Sequence, residues 1–129
     1  MDKNIKLEME QLKSFLMKLF FTYAWKKKPK KCQCGCNKYL PSELSTLCMD
    51  HLLEKSEYPE CKYSISNIFY CTPDCHSNKT HGFPSEIHYQ KIQEAKENYE
   101  KLKEESSTFT ERALNKLGIN KEDVYELFN

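Results

Sequence analysis

Four side chains able to bind or activate something fall in order within one cysteine-rich stretch. Asp50-His51 follows the apolar Leu47-Cys48-Met49, Asn67 opens Asn67-Ile68-Phe69-Tyr70, and His76 comes directly after Cys75 in CTPDCHSNKT. An imidazole whose ordinary pKa is near ~6.5 can take a proton from water. A carboxylate and a second imidazole can share a cation that neutralises charge building on a phosphate. On this chemistry Asp50 and His76 are candidate ligands of a catalytic divalent ion, Mg²⁺ or a similar one, and His51 is the candidate general base. Neighbours on a strand send their side chains to opposite faces, so a common task for Asp50 and His51 calls for a local bend. An isolated Asp-His pair is more often structural than chemical, and His76 could instead serve as a zinc ligand. The ordered set is what favours chemistry.

The seven cysteines suggest metal rather than disulfides, because the opening MDKNIKLEMEQ is too charged for a secretory leader and clustered thiols in a reducing compartment are commonly zinc ligands. They form Cys32-Gln-Cys34-Gly-Cys36 and Cys71-x3-Cys75, with Cys48 and Cys61 between. Structural zinc takes two short-spaced pairs, each presented by a tight turn. Four of Cys32, Cys34, Cys36, Cys71 and Cys75 are therefore expected to hold one Zn²⁺, two from the first cluster joining Cys71 and Cys75. Gly35 sits where such a turn often needs positive φ. Cys48 and Cys61 read as buried or free thiols, with Cys61 a substitute if Cys71 does not reach.

Taken together, Cys32 to Cys36, Asp50-His51, Asn67, Cys71, Cys75-His76 and Lys79 resemble the HNH endonucleases, also called His-Me finger or ββα-metal nucleases. The resemblance spans about residues 32–80. In layout, with a helical tail after the finger, it is most similar to small zinc-bearing phage nucleases that act on branched or recombining DNA. It implies that Asp50 and His76 bind the catalytic ion, that His51 activates water, and that Asn67 orients His51. The chain departs from the family in two places. The second cysteine pair has three intervening residues instead of two; since Cys75 keeps the family's distance from Asn67, Cys71 is the displaced member. The first cluster has no CxxC.

These residues must be positioned by the elements around them. Residues 3–25 contain no Gly or Pro, and Ile5, Met9, Leu12, Leu16, Leu19 and Tyr23, widened by Phe15 and Phe20, form the stripe of an amphipathic helix. That stripe either packs on its own domain, the favoured reading, or forms a homodimer seam. The lysine run and Pro29 end it. Tyr39–Leu40, Leu47–Leu53 and Ile65–Tyr70 read as short strands. Pro84-Ser85-Glu86 starts a helix carrying His88, Ile92, Ala95, Tyr99 and Leu102, which Ser106-Ser107-Thr108 should break. His88 is placed on its surface, and His81 is a candidate substrate contact. Residues 109–117 and 121–128 read as two short helices joined at Gly118, with Asn120 as N-cap.

The chain of 129 residues is nearly neutral, at +1, but ten lysines stand against three acids in residues 1–40. The excess peaks at Lys26, Lys27, Lys28, Lys30 and Lys31, which with Lys79 are candidate phosphate contacts; a solvated linker is the plain alternative. With a single Arg in the chain, bidentate guanine reading is scarce, so DNA would be recognised by structure more than by sequence. No apolar run is long enough to span a membrane, so an intracellular, cytoplasmic protein, phage-encoded on the resemblance, is expected.

The sequence thus predicts an α+β fold: an N-terminal helix and basic linker (1–31), a zinc-bound HNH-like ββα finger (32–84), and a C-terminal helical tail (85–129). The expected function is metal-dependent hydrolysis of DNA phosphodiester bonds. The alternatives are a non-catalytic zinc-stabilised nucleic-acid-binding or protein adaptor, and a helical dimerisation module.

Overall fold

A computed structural model describes residues 3–120 and 122, with side chains from Glu8 onward. Its elements run α1 (Lys3–Trp25), β1 (Met49–His51), β2 (Ile68–Tyr70), α2 (Pro73–Thr80), α3 (Glu86–Glu97) and α4 (Tyr99–Leu117), with short 3₁₀ turns at Thr46–Cys48, Pro59–Cys61 and Ile65–Asn67. Among the described residues the fold is mixed α+β, built on one small two-stranded sheet.

The strands pair antiparallel, with Met49 opposite Tyr70, Asp50 opposite Phe69 and His51 opposite Ile68. They are shorter than the apolar runs suggest because 3₁₀ turns occupy their first residues. Tyr39 makes only an isolated bridge, to Lys31. All six strand residues are buried, so burial does not alternate: each face of the sheet is covered. Met49, Ile68 and Tyr70 face a core with Leu16, Phe20 and Ala24 of α1 and Ala113 and Leu114 of α4. Phe69 and Cys71 face a second core with Leu52, Leu53, Cys61, Ala95 and Leu102. This is period-two side-chain geometry with both faces dry.

Helix α1 has the predicted bounds, but its buried stripe is Leu16, Phe20 and Ala24, while Phe15, Leu19 and Tyr23 stay 38–46% exposed. A straight helix of 3.6 residues per turn drifts away from a heptad seam, which moves the buried line onto these residues. Trp25 anchors its end through Nε1–H to the Ser42 carbonyl at 3.1 Å. The lysines that follow put positive charge at the helix C-terminus, where the macrodipole favours it.

The expected break at Ser106-Ser107-Thr108 does not occur. Helix α3 begins where Ser85 caps it but ends at Asn98, and α4 runs unbroken through the serines. Ser106 is buried and accepts the Tyr63 backbone N–H at 3.0 Å, while Glu105 accepts from Ser64 and Ser66. Tertiary hydrogen bonds overrode a weak local preference. The hydroxyls of Ser64, Ser66 and Ser106 and the Glu105 carboxylate fasten α4 to the loop between the strands. Gly118 ends α4 with φ of 70°, the left-handed cap that glycine accommodates. The predicted helix over 121–128 lies outside the described residues. No helix among the described residues is long and apolar enough to cross a membrane.

Candidate metal and nuclease site

Residues 31–39 turn back on themselves. Cys32 N–H donates to the Lys38 carbonyl at 2.9 Å, and Gly35 and Asn37 adopt φ of 86° and 68°. The turn is docked on the free edge of β2: Gln33 N–H donates to the Tyr70 carbonyl, and Tyr70 N–H returns to Gln33 Oε1, both at 2.8 Å. This brings Cys32, Cys34 and Cys36 to Cys75 in α2, with all four sulfurs within 4.8 Å of one another. A zinc tetrahedron with Zn–S of about 2.3 Å needs sulfurs about 3.8 Å apart, so the four cysteines are compatible with structural zinc. Backbone N–H groups support the sulfurs. That of Thr72 reaches Cys32 Sγ at 3.4 Å, and that of Lys38 lowers the exposed Cys36 thiol to about 7. Burial instead pushes the Cys34 and Cys75 thiols up; a cation would offset that.

The expected pairing of two first-cluster thiols with Cys71 and Cys75 is therefore corrected. The first cluster supplies three, and Cys71 is not in the group. Cys71 extends the sheet, its N–H bonded to the Cys48 carbonyl at 3.0 Å, and its side chain belongs to the Phe69 core. Cys75 stands four residues on, in α2. Cys48 and Cys61 are buried as expected.

Asp50 and His51 sit on opposite faces of β1, yet both line one cleft of about 600 Å³, together with Phe21, Glu54, Lys55, His76 and Lys79. His51 faces α1, with the Phe20 and Phe21 rings 6.3 and 6.0 Å from its own. Its Nε2 lies 2.8 Å from the Lys62 carbonyl. A carbonyl only accepts, so Nε2 carries the proton and Nδ1 is left as the acceptor. Burial lowers the His51 pKa to about 4, ahead of the opposing pull of that carbonyl, and the ring is neutral at neutral pH.

Asp50 is 3% exposed. Its Oδ1 is met by His76 Nε2 and Lys79 Nζ, each at 3.2 Å, and its Oδ2 by His88 Nε2 at 2.8 Å. Burial pushes the carboxyl up, but the bonds from His76 and His88 and the Lys79 ammonium outweigh it and hold it well below the usual carboxylate range. His76 donates Nδ1–H to the Leu47 carbonyl at 2.8 Å. In the neutral ring, Nε2 therefore aims a lone pair at Asp50, and a proton or a metal ion must join the two. The Asp50 bond raises the His76 pKa, against burial. A histidine whose second nitrogen donates to a backbone carbonyl has the usual orientation of a metal ligand, so this pair could hold a divalent ion.

Three expectations need revision. Asn67 makes no hydrogen bond to the His51 ring: its side chain bonds Leu53 N–H, the Leu53 carbonyl and the Cys61 carbonyl. Lys79 is held among Asp50, the His51 carbonyl and Glu54, with its side chain 10% exposed, rather than standing free for DNA. His88 is fully buried instead of lying on the surface. The signal for it is in the sequence: His88 falls at helical spacing with Ile92 and Ala95, and in α3 His88 and Ala95 are buried with Ile92 half-buried beside them. His81 is exposed and donates Nδ1–H to the Ser77 carbonyl.

Lys26, Lys27, Lys30 and Lys31 are exposed and Lys28 is half-buried. Three lie over aromatic rings, Lys27 on Tyr23, Lys28 on Trp25 and Lys31 on Tyr39. Comparison with family models, with curated proteins and with solved structures gave no match.

Proposed function

We propose that this protein is a divalent-ion-dependent endonuclease of the HNH type that hydrolyses DNA phosphodiester bonds, with a separate structural zinc on Cys32, Cys34, Cys36 and Cys75. The orientation of His76 carries this reading: Nδ1–H anchored on the Leu47 carbonyl and Nε2 facing Asp50 Oδ1 at 3.2 Å suit a shared cation better than a plain structural pair. The order strand, strand, helix, with Asp50-His51 on the first strand and His76 on the helix, also agrees with the resemblance. A divalent ion there would supply charge neutralisation at the scissile phosphate. His51, neutral and with Nδ1 as acceptor, takes the proton of the attacking water. The Lys62 carbonyl and the two Phe rings fix its direction. Lys79 brings positive charge to the same cleft, bonded to Asp50 and Glu54, and a divalent ion on Asp50 would take over that charge balance.

The test is single-turnover nicking of duplex and four-way-junction DNA across a range of Mg²⁺ and Mn²⁺ concentrations. His51→Ala should lose about 10²- to 10⁴-fold in rate, the usual contribution of a general base, with zinc content and folding retained. Asp50→Ala and His76→Ala should also fail, with partial rescue at high Mn²⁺ that His51→Ala does not share. Equal rates for wild type and His51→Ala would overturn the assignment. No cleavage of any DNA by wild type would leave the non-catalytic adaptor as the better reading.

A further inference from the structure

His88 lies outside the stretch that carries the nuclease resemblance, and nothing in that resemblance gives it a role. It is nonetheless built into the site with care. Ser85 Oγ accepts the His88 backbone N–H at 3.1 Å, so the cap of α3 fixes the residue itself. The ring stacks on Phe69, with centroids 4.1 Å apart and planes at 22°, and Phe69 is the cross-strand partner of Asp50. Nε2 then meets Asp50 Oδ2 at 2.8 Å. The ring is fully buried, and its Nδ1 has no hydrogen-bond partner.

These contacts assign the proton. A carboxylate only accepts, so Nε2 carries hydrogen; a second proton on Nδ1 would bury an unpaired N–H. The Nε2–H tautomer leaves Nδ1 as the bare nitrogen. The two oxygens of Asp50 are thereby divided: Oδ2 is tied inward to His88, while Oδ1 faces His76 and Lys79 on the cleft side.

We infer that His88 is a positioning residue for Asp50, holding Oδ2 so that Asp50 presents the single oxygen Oδ1 to a divalent ion shared with His76. This rests on the nuclease reading of the cleft. It accounts for a polar ring in an otherwise apolar stack, where an aromatic hydrocarbon would fill the space without leaving a nitrogen unpaired. Outer partners of metal ligands typically change metal affinity by about 10- to 100-fold when removed.

The experiment uses the 129-residue, zinc-loaded chain. His88→Phe keeps the stack on Phe69 and removes the donor; His88→Gln keeps an N–H donor. Mn²⁺ affinity would be measured by electron paramagnetic resonance, beside zinc content, thermal unfolding and single-turnover cleavage. His88→Phe should keep its zinc and bind Mn²⁺ about 10- to 100-fold more weakly, with cleavage recovering as Mn²⁺ is raised. His88→Gln should restore most of the affinity, which a purely space-filling role would not require. Long-range ¹H–¹⁵N spectra of the wild type should show the Nε2–H tautomer at His88, and this readout decides the matter if His88→Phe does not fold. Unchanged Mn²⁺ affinity in His88→Phe, no Mn²⁺ binding by wild type, or an unprotonated Nε2 would each overturn the inference. If Mn²⁺ binding depends on His88 but wild type cuts no DNA, the nuclease reading falls and the positioning role stands.

Discussion

Asn67 spends its whole side chain on the backbone of the loop between the strands, accepting from Leu53 N–H and donating to the Leu53 and Cys61 carbonyls. It is fully buried, so its removal leaves those groups unpaired in a dry interior, at about 1–3 kcal/mol for each such group. Partial relaxation of the loop offsets some of this. Asn67→Ala should therefore lower unfolding stability by about 2–4 kcal/mol in urea titrations, with slackening near Lys62, whose carbonyl orients His51. A loss below about 0.5 kcal/mol, the range of a neutral surface change, would mean that the loop holds itself. That Asp50, His51 and His76 share one cleft is legible in the sequence, because residue type and order single them out together. The part Asn67 plays in the loop is not legible, since a side chain that works through backbone partners leaves no mark of which partners they are. Which cysteines converge is likewise a matter of the turn at Gly35 and of the spacing from Cys71 to Cys75.

Among the elements, α1 could be read almost to the residue because a long stretch without Gly or Pro and with one apolar face has few alternatives. The boundary between α3 and α4 could not: Ser106, one of the residues that signal a break, is held by the Tyr63 N–H from outside the helix, and its neighbour Glu105 accepts from Ser64 and Ser66 of the same loop. The segment from Lys26 to Lys31 joins α1 to the cysteine turn with its charges outward. Three of its ammonium groups rest over rings, which shortens their reach without removing their charge. If all five lysines meet phosphates, replacing them with Gln should weaken binding to every DNA sequence alike and flatten the slope of log K against log[salt] by up to about 4.5, at 0.9 per contact. A fluorescence-anisotropy salt titration measures this. An unchanged slope would make the segment a connector.

At the scale of the molecule, the described residues divide their apolar interior into two modest cores on either side of a sheet only three residue pairs long. So small a scaffold gains much from a metal staple. Purified without added metal, the protein should carry one zinc per chain, and strong chelators should lower its thermal midpoint and its near-ultraviolet dichroism. Cys34→Ser and Cys75→Ser should lose the metal, whereas Cys71→Ala should retain it while weakening the Phe69 core. Loss of zinc from Cys71→Ala, with retention in Cys34→Ser, would reverse the ligand assignment. The contact of Phe20 with Phe109, at 5.4 Å between ring centroids, bears on how the molecule is made. Helix α1 is synthesised before α4, but the core that seats it includes Ala113 and Leu114, which emerge much later. The aromatic wall beside His51 is thus completed only as synthesis reaches α4, and until then the nascent chain carries Asp50 and His51 without a finished cleft around them.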